Sequence, residues 1–520
     1  MSSAVQQETA GETSVSAQIP PQASNTVTDE LKKLFEQSSH YLVGLIGSLA
    51  LGFISFPIFT RAFSVADYGL IDLAQKVLLL LTATSKCGMQ NSALRFFDRD
   101  AFAKDPAAER RYYSSMFFGV AATATIATFL FVSGVHLIPN SMVSGPLVAA
   151  LLFASALIFL RSMQSMLWSF LRIEERTKLY NVLSFVIRGG TIAAVCLLIP
   201  LTGPTVKTYF SGTMGVELAV VLAVSIPLFR RGLVQLKGFD LTLCRAGFVF
   251  GAPLVIQELA GITLDAGDRG LIQYYLGSDA LGFYSVAYGL ATYINTLLIA
   301  PLSLAILPIY MRMWNSKGKE ATIEFLSLGL DLFLMAAAGL FAVACVTARD
   351  AVIVLASPKY RGADTLIPIL VAGLLIYTTH VFLNAGLVIQ KRTRVFGGVL
   401  FCAAILNMVL NCVLLPRIGL QGAALATLLS YALCTVLLSI YSFKVLPLNV
   451  RWWALGRYLG ASAITWAVVL PVDFHIPAVN LLAKPLIAVV VYITLLYVLD
   501  RRIRDFAGGL PARLGLKQAA

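Results

Sequence analysis

The stretch LNMVLNCVLLPRIGLQGAALATLLSYALCTVLLSIY, residues 406–441, is mostly apolar, yet Pro416, Arg417, Gly419 and Gly422 interrupt it. The flanking runs each approach the ~20 apolar residues that a helix needs to cross a bilayer. The reading is a helical hairpin with a tight turn. Proline lacks an N–H and restricts the residue before it, so Pro416 is expected to end the first helix. Gly419 and Gly422 then allow the chain to reverse. The small residues of GAALAT let the second helix approach a neighbour closely, as lipid-embedded interfaces prefer.

Working outward, such runs fill the chain. They number about fourteen, near 40–60, 69–92, 113–137, 147–171, 179–200, 208–229, 246–275, 282–310, 324–347, 365–389, 396–416, 420–443, 454–472 and 481–500. The 520 residues are 58% hydrophobic and 13% charged, against about 25% charged in soluble domains. The expected fold class is an all-α polytopic membrane protein. Its net charge of +13 is spread between apolar runs and forms no basic face, which argues against nucleic-acid binding.

Lysine and arginine set the orientation. With the N-terminus placed in the cytoplasm, 28 of the 40 fall in inside segments and seven outside: Arg61, Lys207, Arg349, Lys359, Arg361, Arg417 and Lys484. A missed helix would scramble that asymmetry. Both termini are therefore expected in the cytoplasm. Residues 1–38 read as a disordered tail, with Thr28–Gln37 a candidate surface helix, and residues 501–520 as a basic tail.

The hairpin has an earlier counterpart. Cys196-Leu-Leu-Ile-Pro200-Leu-Thr-Gly203 matches Cys412-Val-Leu-Leu-Pro416-Arg-Ile-Gly419, 216 residues on. At that offset Arg176-Thr-Lys-Leu-Tyr180 meets Arg392-Thr-Arg-Val-Phe396. Asp67-Tyr-Gly69-Leu-Ile71 sits 213 residues before Ala280-Leu-Gly282-Phe-Tyr284. The offset spans six helices, an even number, so the repeats run in the same direction. Parallel repeats are related by an axis along the membrane normal, with a pathway between them. The expected organisation is a six-helix lobe at 39–230, a linker at 231–245, a second six-helix lobe at 246–443 and two further helices in 444–500, with a central cavity between the lobes.

Charges inside these runs point to that cavity, because each costs roughly 2.5–3.5 kcal/mol at mid-membrane. They are Asp72, Lys76, Lys86, Arg161, Arg188, Glu217, Glu258, Asp265, Asp268, Arg269 and Asp331. Asp72 and Lys76 are spaced i, i+4, as are Asp265 and Arg269, so each couple shares a helix face and can pair. Lys86, Arg161 and Arg188 are near enough to the cytoplasmic ends to snorkel. The cationic excess of the first lobe suits an anionic guest such as pyrophosphate, which arginine binds bidentately.

Other chemistries lack their signatures. There is no G-x-x-x-x-G-K-[ST], no H-E-x-x-H and no C-x-x-C pair among the seven cysteines. An ATPase, a zinc site, a disulfide framework and a catalytic centre are therefore not indicated. A membrane-embedded polymerase or ligase needs a substantial outside loop with clustered catalytic groups. The longest outside loop, about 348–363, holds Pro358-Lys-Tyr-Arg361 and no histidine.

Four motifs carry a family resemblance: Thr60-Arg61-Ala-Phe-Ser-Val-Ala-Asp67-Tyr68-Gly69-Leu70; Gly251-Ala-Pro253 with Asp268-Arg269 and Leu276-Gly277-x4-Gly282-x-Tyr284-Ser285-x-Ala287-Tyr288; Tyr360-x-x-Ala363; and Leu406-Asn407-x-x-Leu410-Asn411-x-x-Leu414-x-Pro416-x-x-Gly419-x-x-Gly422-Ala423-Ala424-x-Ala426-Thr427. With these, the chain from about Tyr41 to Arg501 resembles the bacterial polysaccharide-transporter flippases, which carry O-antigen or exopolysaccharide units on polyprenyl pyrophosphate. Multidrug antiporters and lipid II flippases share their superfamily.

The resemblance implies fourteen helices, alternating access and cavity cations that engage pyrophosphate. Arg61, Lys76, Lys86 and Arg269 take that role by resemblance, and Arg161 and Arg188 are added from their placement in the first lobe. Asp72, Asp268 and Asp331 are candidates for gating or for coupling to H⁺ or Na⁺. No cofactor is expected. Expected partners are membrane lipids, the lipid-linked substrate, glycosyltransferases inside and a polymerase outside, in a bacterial inner membrane. The alternative is an ion-coupled drug antiporter, which should show a carboxylate-rich cavity.

Overall fold

The computed structural model describes residue 47 and residues 49–137, 145–500 and 504. The tail at 1–38 lies outside the described residues, as does all of 501–520 but residue 504. Among the described residues, and apart from the short helix Arg99–Lys104 and single 3-10 turns, fourteen helices follow in order: α1 (Leu49–Ala62), α2 (Val65–Ser85, resuming as Met89–Phe96), α3 (Pro106–Leu137), α4 (Gly145–Ile173), α5 (Thr177–Thr202), α6 (Val206–Arg230), α7 (Leu241–Ala266, continuing to 276), α8 (278–317), α9 (319–351), α10 (Ile367–Thr378, then two short turns to 389), α11 (Thr393–Ile418), α12 (Leu420–Phe443), α13 (Trp452–Val469) and α14 (Pro477–Leu499). Among the described residues ten helical stretches are long and apolar enough to span a bilayer, and two of them, Leu241–Thr296 and Ile306–Ala356, cover most of the α7–α9 run. The described residues contain no strand.

Local chemistry sets the starts. Ser64 Oγ accepts the Asp67 N–H at 3.0 Å, which caps α2. Asp240 Oδ1 accepts the N–H groups of Thr242 and Leu243 and caps α7. Such caps satisfy amides that a helix start leaves without a partner. The linker consequently shortens to 231–240. The expected loop around 311–323 is helical, broken only at Gly318 (φ 84°), as α7 and α8 are divided only at Gly277 (φ 83°).

Pro416 does not end α11, contrary to the sequence expectation. The helix runs two residues further to Ile418, and Gly419 at φ 61° ends it. A proline near a C-terminus removes little backbone bonding, whereas a left-handed residue stops the helix outright. Pro200 and Gly203 (φ 78°) do the same in α5.

The repeat is visible in the backbone. Glu175 (φ 58°) and Lys391 (φ 55°) are both left-handed before α5 and α11, and Gly203 and Gly419 are both left-handed after them. Each pair is 216 residues apart. Equivalent residues also meet. A Cβ on Gly69 would lie 2.6 Å from Gly282 N, and Ser285 Oγ donates to Asp72 Oδ2 at 2.7 Å. Both pairs are 213 residues apart. Residues related by a two-fold rotation touch only near its axis, so α2 and α8 cross on the pseudo-two-fold.

A large apolar core joins α1, α2, α8, α10 and α12, and a second closes the N-lobe around Tyr112, Met116, Met163 and Phe170. α13 and α14 attach to α9 through Ala338, Ala454, Ala461 and Tyr492. Large apolar side chains such as Phe129, Leu197, Val249 and Leu486 stand exposed on the outer faces, the surface that lipid covers.

Candidate functional site

One end of the bundle carries the basic turns with Arg99, Arg176, Arg231, Lys317, Lys391 and Lys444, and the other end carries few. They are called the basic and the opposite end. Between them, on the seam of the lobes, lies a charge network. Arg269 of α7 is buried. Its Nε donates to Asp72 Oδ2 of α2 at 3.0 Å, and its Nη1 donates to Asp268 Oδ1 at 2.9 Å and to the Asp265 carbonyl at 2.8 Å. Lys76 Nζ of α2 lies 3.6 Å from Asp265 Oδ2.

The two i, i+4 couples therefore exchange partners. Asp72 pairs with Arg269 and Lys76 with Asp265, so the ion pairs tie α2 to α7. Two facing helices bring four charges together, and the crossed arrangement lets each charge find its opposite across the seam.

Aromatic and amide groups of the C-lobe complete the network. Tyr284 donates to Asp268 Oδ2, and Thr427 Oγ1 donates to the same oxygen at 3.3 Å. Asn407 Nδ2 reaches Thr427 at 3.5 Å, and Asn411 Nδ2 bonds Asn407. Tyr288 donates to Asp265 Oδ1 at 2.5 Å and meets the Tyr431 hydroxyl at 2.9 Å. The Arg269 guanidinium lies 4.3 Å from the Tyr288 ring centroid, a cation–π contact. The hairpin that opened the sequence thus supplies Asn407, Asn411, Thr427 and Tyr431. Their motif was legible, but their convergence on Asp265 and Asp268 was not.

Other expected site residues sit elsewhere. Arg161 Nε pairs with the buried Glu217 at 3.1 Å, inside the N-lobe. Gln75 Nε2 donates to Tyr209 Oη at 3.1 Å, and Tyr209 lies near Arg161, Glu217 and Asp72. Arg188 is exposed on α5; a Cβ on Gly52 of α1 would come within 3.6 Å of its Nη1. Lys86 Nζ pairs with Glu258 at 2.7 Å, towards the basic end. Asp331 lies apart from the network, bonded to Arg451 and Tyr458 at the foot of α13. Among the described residues, no group of three or more His, Cys, Asp or Glu side chains is placed to hold a metal.

Interlobe contacts bracket the network along α2. Towards the opposite end are the Gly69–Gly282 crossing and a latch. Thr60 Oγ1 donates to the Ala356 carbonyl at 3.1 Å, and Arg61 Nη2 donates to the Val354 carbonyl at 2.5 Å. In return Lys359 Nζ donates to the carbonyls of Arg61 and Phe63. Towards the basic end α2 breaks at Cys87 (φ 48°) and Gly88 (φ 71°). There Gly88 fits against Gly251 of α7 so closely that a Cβ on Gly251 would fall 2.7 Å from Gly88 C. Ser92 Oγ also donates to the Gly247 carbonyl at 2.6 Å.

The family model for polysaccharide biosynthesis protein matches residues 36–314. The chain is 23% identical over 221 residues to a probable low-salt glycan biosynthesis flippase, Agl15, of Haloferax volcanii, covering 42% of this chain and 46% of that one. It is 25% identical over 224 residues to an uncharacterized membrane protein, MJ1068, of Methanocaldococcus jannaschii, covering 41% and 43%. The chain thus spans about half the length of the curated relatives it matches.

Among solved structures, lipid II flippase MurJ in an inward closed conformation superposes with a TM-score of 0.66 at 15% identity, over 89% of this chain and 99% of that one. An inward-facing multidrug resistance MATE family transporter of the MOP superfamily gives 0.62 at 13%, over 77% and 94%. At such identities the likeness is one of fold. The family match covers more than half of the chain, and this two-lobed membrane protein belongs to the polysaccharide biosynthesis protein family.

Proposed function

We propose that the protein is a flippase for polyprenyl-pyrophosphate-linked oligosaccharides, working by alternating access in surface polysaccharide biosynthesis. The observation that carries the reading is the crossed ion-pair network on the lobe seam, bracketed by closable contacts. Asp72 and Asp265 hold Arg269 and Lys76 as phosphate oxygens would. An incoming pyrophosphate competes with these carboxylates, frees α2 from α7 and loosens the seam. The headgroup crosses beside fixed cations while the tail stays in lipid, which removes most of the cost of charge in hydrocarbon. The lobes then part at one end at a time.

A bacterial inner membrane, glycosyltransferases on the basic side and a polymerase on the other belong to this reading. So does coupling to H⁺ or Na⁺ through Asp72 or Asp268. The relative described as a glycan biosynthesis flippase supports a lipid-linked glycan.

A second reading, the ion-coupled drug antiporter, has one observation in its favour. The network holds three carboxylates (Asp72, Asp265, Asp268) against two cations (Lys76, Arg269), while Lys86 and Arg161 are neutralised by Glu258 and Glu217. Reconstituted protein separates the two. Outward exposure of a labelled polyprenyl-pyrophosphate oligosaccharide, slowed in Lys76→Ala and nearly lost in Arg269→Ala, is the expected result. Efflux of a cationic dye under a pH or Na⁺ gradient, with no movement of the lipid-linked sugar, would replace it.

A further inference from the structure

The latch at the opposite end is gripped from behind. Its acceptor carbonyls belong to the π-helical turn Val352–Ala356, which ends α9. Such turns are rare and recur at functional positions. Two residues before the turn, Asp350 Oδ2 accepts from Lys484 Nζ of α14 at 2.9 Å, with only 8% and 11% of the two side chains exposed. Asp350 Oδ1 accepts from Asn480 at 3.2 Å.

The remainder of α9 is held as firmly. Ser462 of α13 donates to the Ala338 carbonyl at 2.7 Å, Tyr492 of α14 donates to the Met335 carbonyl at 2.7 Å, and Arg451 pairs with Asp331 at 3.2 Å. Below the turn, Tyr360 is wholly buried with its hydroxyl lacking a partner among the described residues.

We infer that Asp350 and Lys484 are positioning residues for the latch: α13 and α14 hold the turn 352–356 where it receives Thr60 and Arg61, and so set how readily the lobes part at that end. The inference rests on the alternating-access reading. The appended helices thereby act on the gate from outside both repeats. Sequence placed Lys484 in an outside loop as a topology signal, and the structure places it on α14 in a buried pair.

The test uses the full chain in proteoliposomes with Ala356→Cys as a buried reporter inside the latch. Modification by a hydrophilic maleimide is followed on that peptide by mass spectrometry, which separates it from the native cysteines. Thr60→Val/Arg61→Ala removes the latch's side-chain bonds to the turn directly and is expected to speed modification. Lys484→Ala is expected to raise the rate about fivefold by shifting the closed–open balance, and Lys484→Arg to restore it. Where Lys484→Ala fails to fold, the neutral pair Asp350→Asn/Lys484→Gln gives the answer, with the same rise expected.

A second reporter, Ala424→Cys in the buried face of α12, should keep its slow rate throughout. Equal increases at 356 and 424 would mean general loosening and overturn the inference. A rise with Thr60→Val/Arg61→Ala but none with either change at 350 and 484 would also overturn it. No rise with Thr60→Val/Arg61→Ala would instead remove the latch, and with it the gate that the alternating-access reading places at this end.

Discussion

The two lobes share a backbone and divide the chemistry. Their hairpins α5–α6 and α11–α12 turn at equivalent left-handed residues, and α2 and α8 meet on the axis that relates them. Yet α2 places Asp72 where α8 places Ser285, and Lys76 where α8 has Gly289. The N-lobe satisfies Arg161 and Glu217 within itself. The C-lobe gathers Asp265, Asp268, Arg269, Tyr284, Tyr288 and Thr427, and draws Asp72 and Lys76 across the seam. Duplication supplied the two-lobed frame, and divergence placed charges on α2 where α8 carries Ser285 and Gly289.

That contrast ranks the expected effects. Arg269→Ala strands Asp72 and Asp268 together, and breaking a buried pair by deleting one partner typically costs about 3–5 kcal/mol. Flipping should fall at least about 100-fold, measured as headgroup exposure in proteoliposomes. Glu217→Gln, confined to the N-lobe, should leave most of the rate. Equal losses would mean that charge function is shared between the lobes.

The crossing on the axis predicts symmetric damage. A Cβ on Gly69 meets Gly282 N, and a Cβ on Gly282 meets the Val65 carbonyl. Gly69→Leu and Gly282→Leu should each slow flipping about tenfold by holding α2 and α8 apart, since overpacking a tight contact commonly costs 1–3 kcal/mol. Lys76→Ala removes only the longer, half-exposed pair with Asp265, so its loss should be smaller than that of Arg269→Ala, of the order of tenfold. A larger loss would identify Lys76 as the principal anion contact.

The smallest effects test the repeat itself. Gly203 and Gly419 are left-handed, and a Cβ on either would meet open space. Both combine a positive φ with an extended ψ, so alanine there adds backbone strain without a clash, about 1–3 kcal/mol at each site. Gly203→Ala and Gly419→Ala should lower the thermal midpoint by nearly equal amounts with flipping intact. Unequal shifts would show that the two turns are not equivalent.

Much of this frame was legible in the sequence, because spans and turns are written locally. Hydropathy marked fourteen helices, and the 216-residue offset announced the repeat. The boundaries at Pro416 and at 311–323 were misread, since helix ends depend on which residue adopts a left-handed backbone. The site was legible as a list of charges and not as a set of partners. Asp72 with Lys76 looked like a pair within one helix until α7 was packed against α2. Thr60 and Lys359 carried no signal of a latch, because their partners are backbone carbonyls nearly 300 residues away.

The central claim is that the lobes must part for an anionic lipid headgroup to cross. Cysteines at Arg61 and Lys359, joined by a cleavable thiol crosslinker, would hold the opposite end shut, with the equally treated native chain as control. Flipping of polyprenyl-pyrophosphate oligosaccharide should stop on crosslinking and return on cleavage. Undiminished flipping with the seam locked would contradict the account.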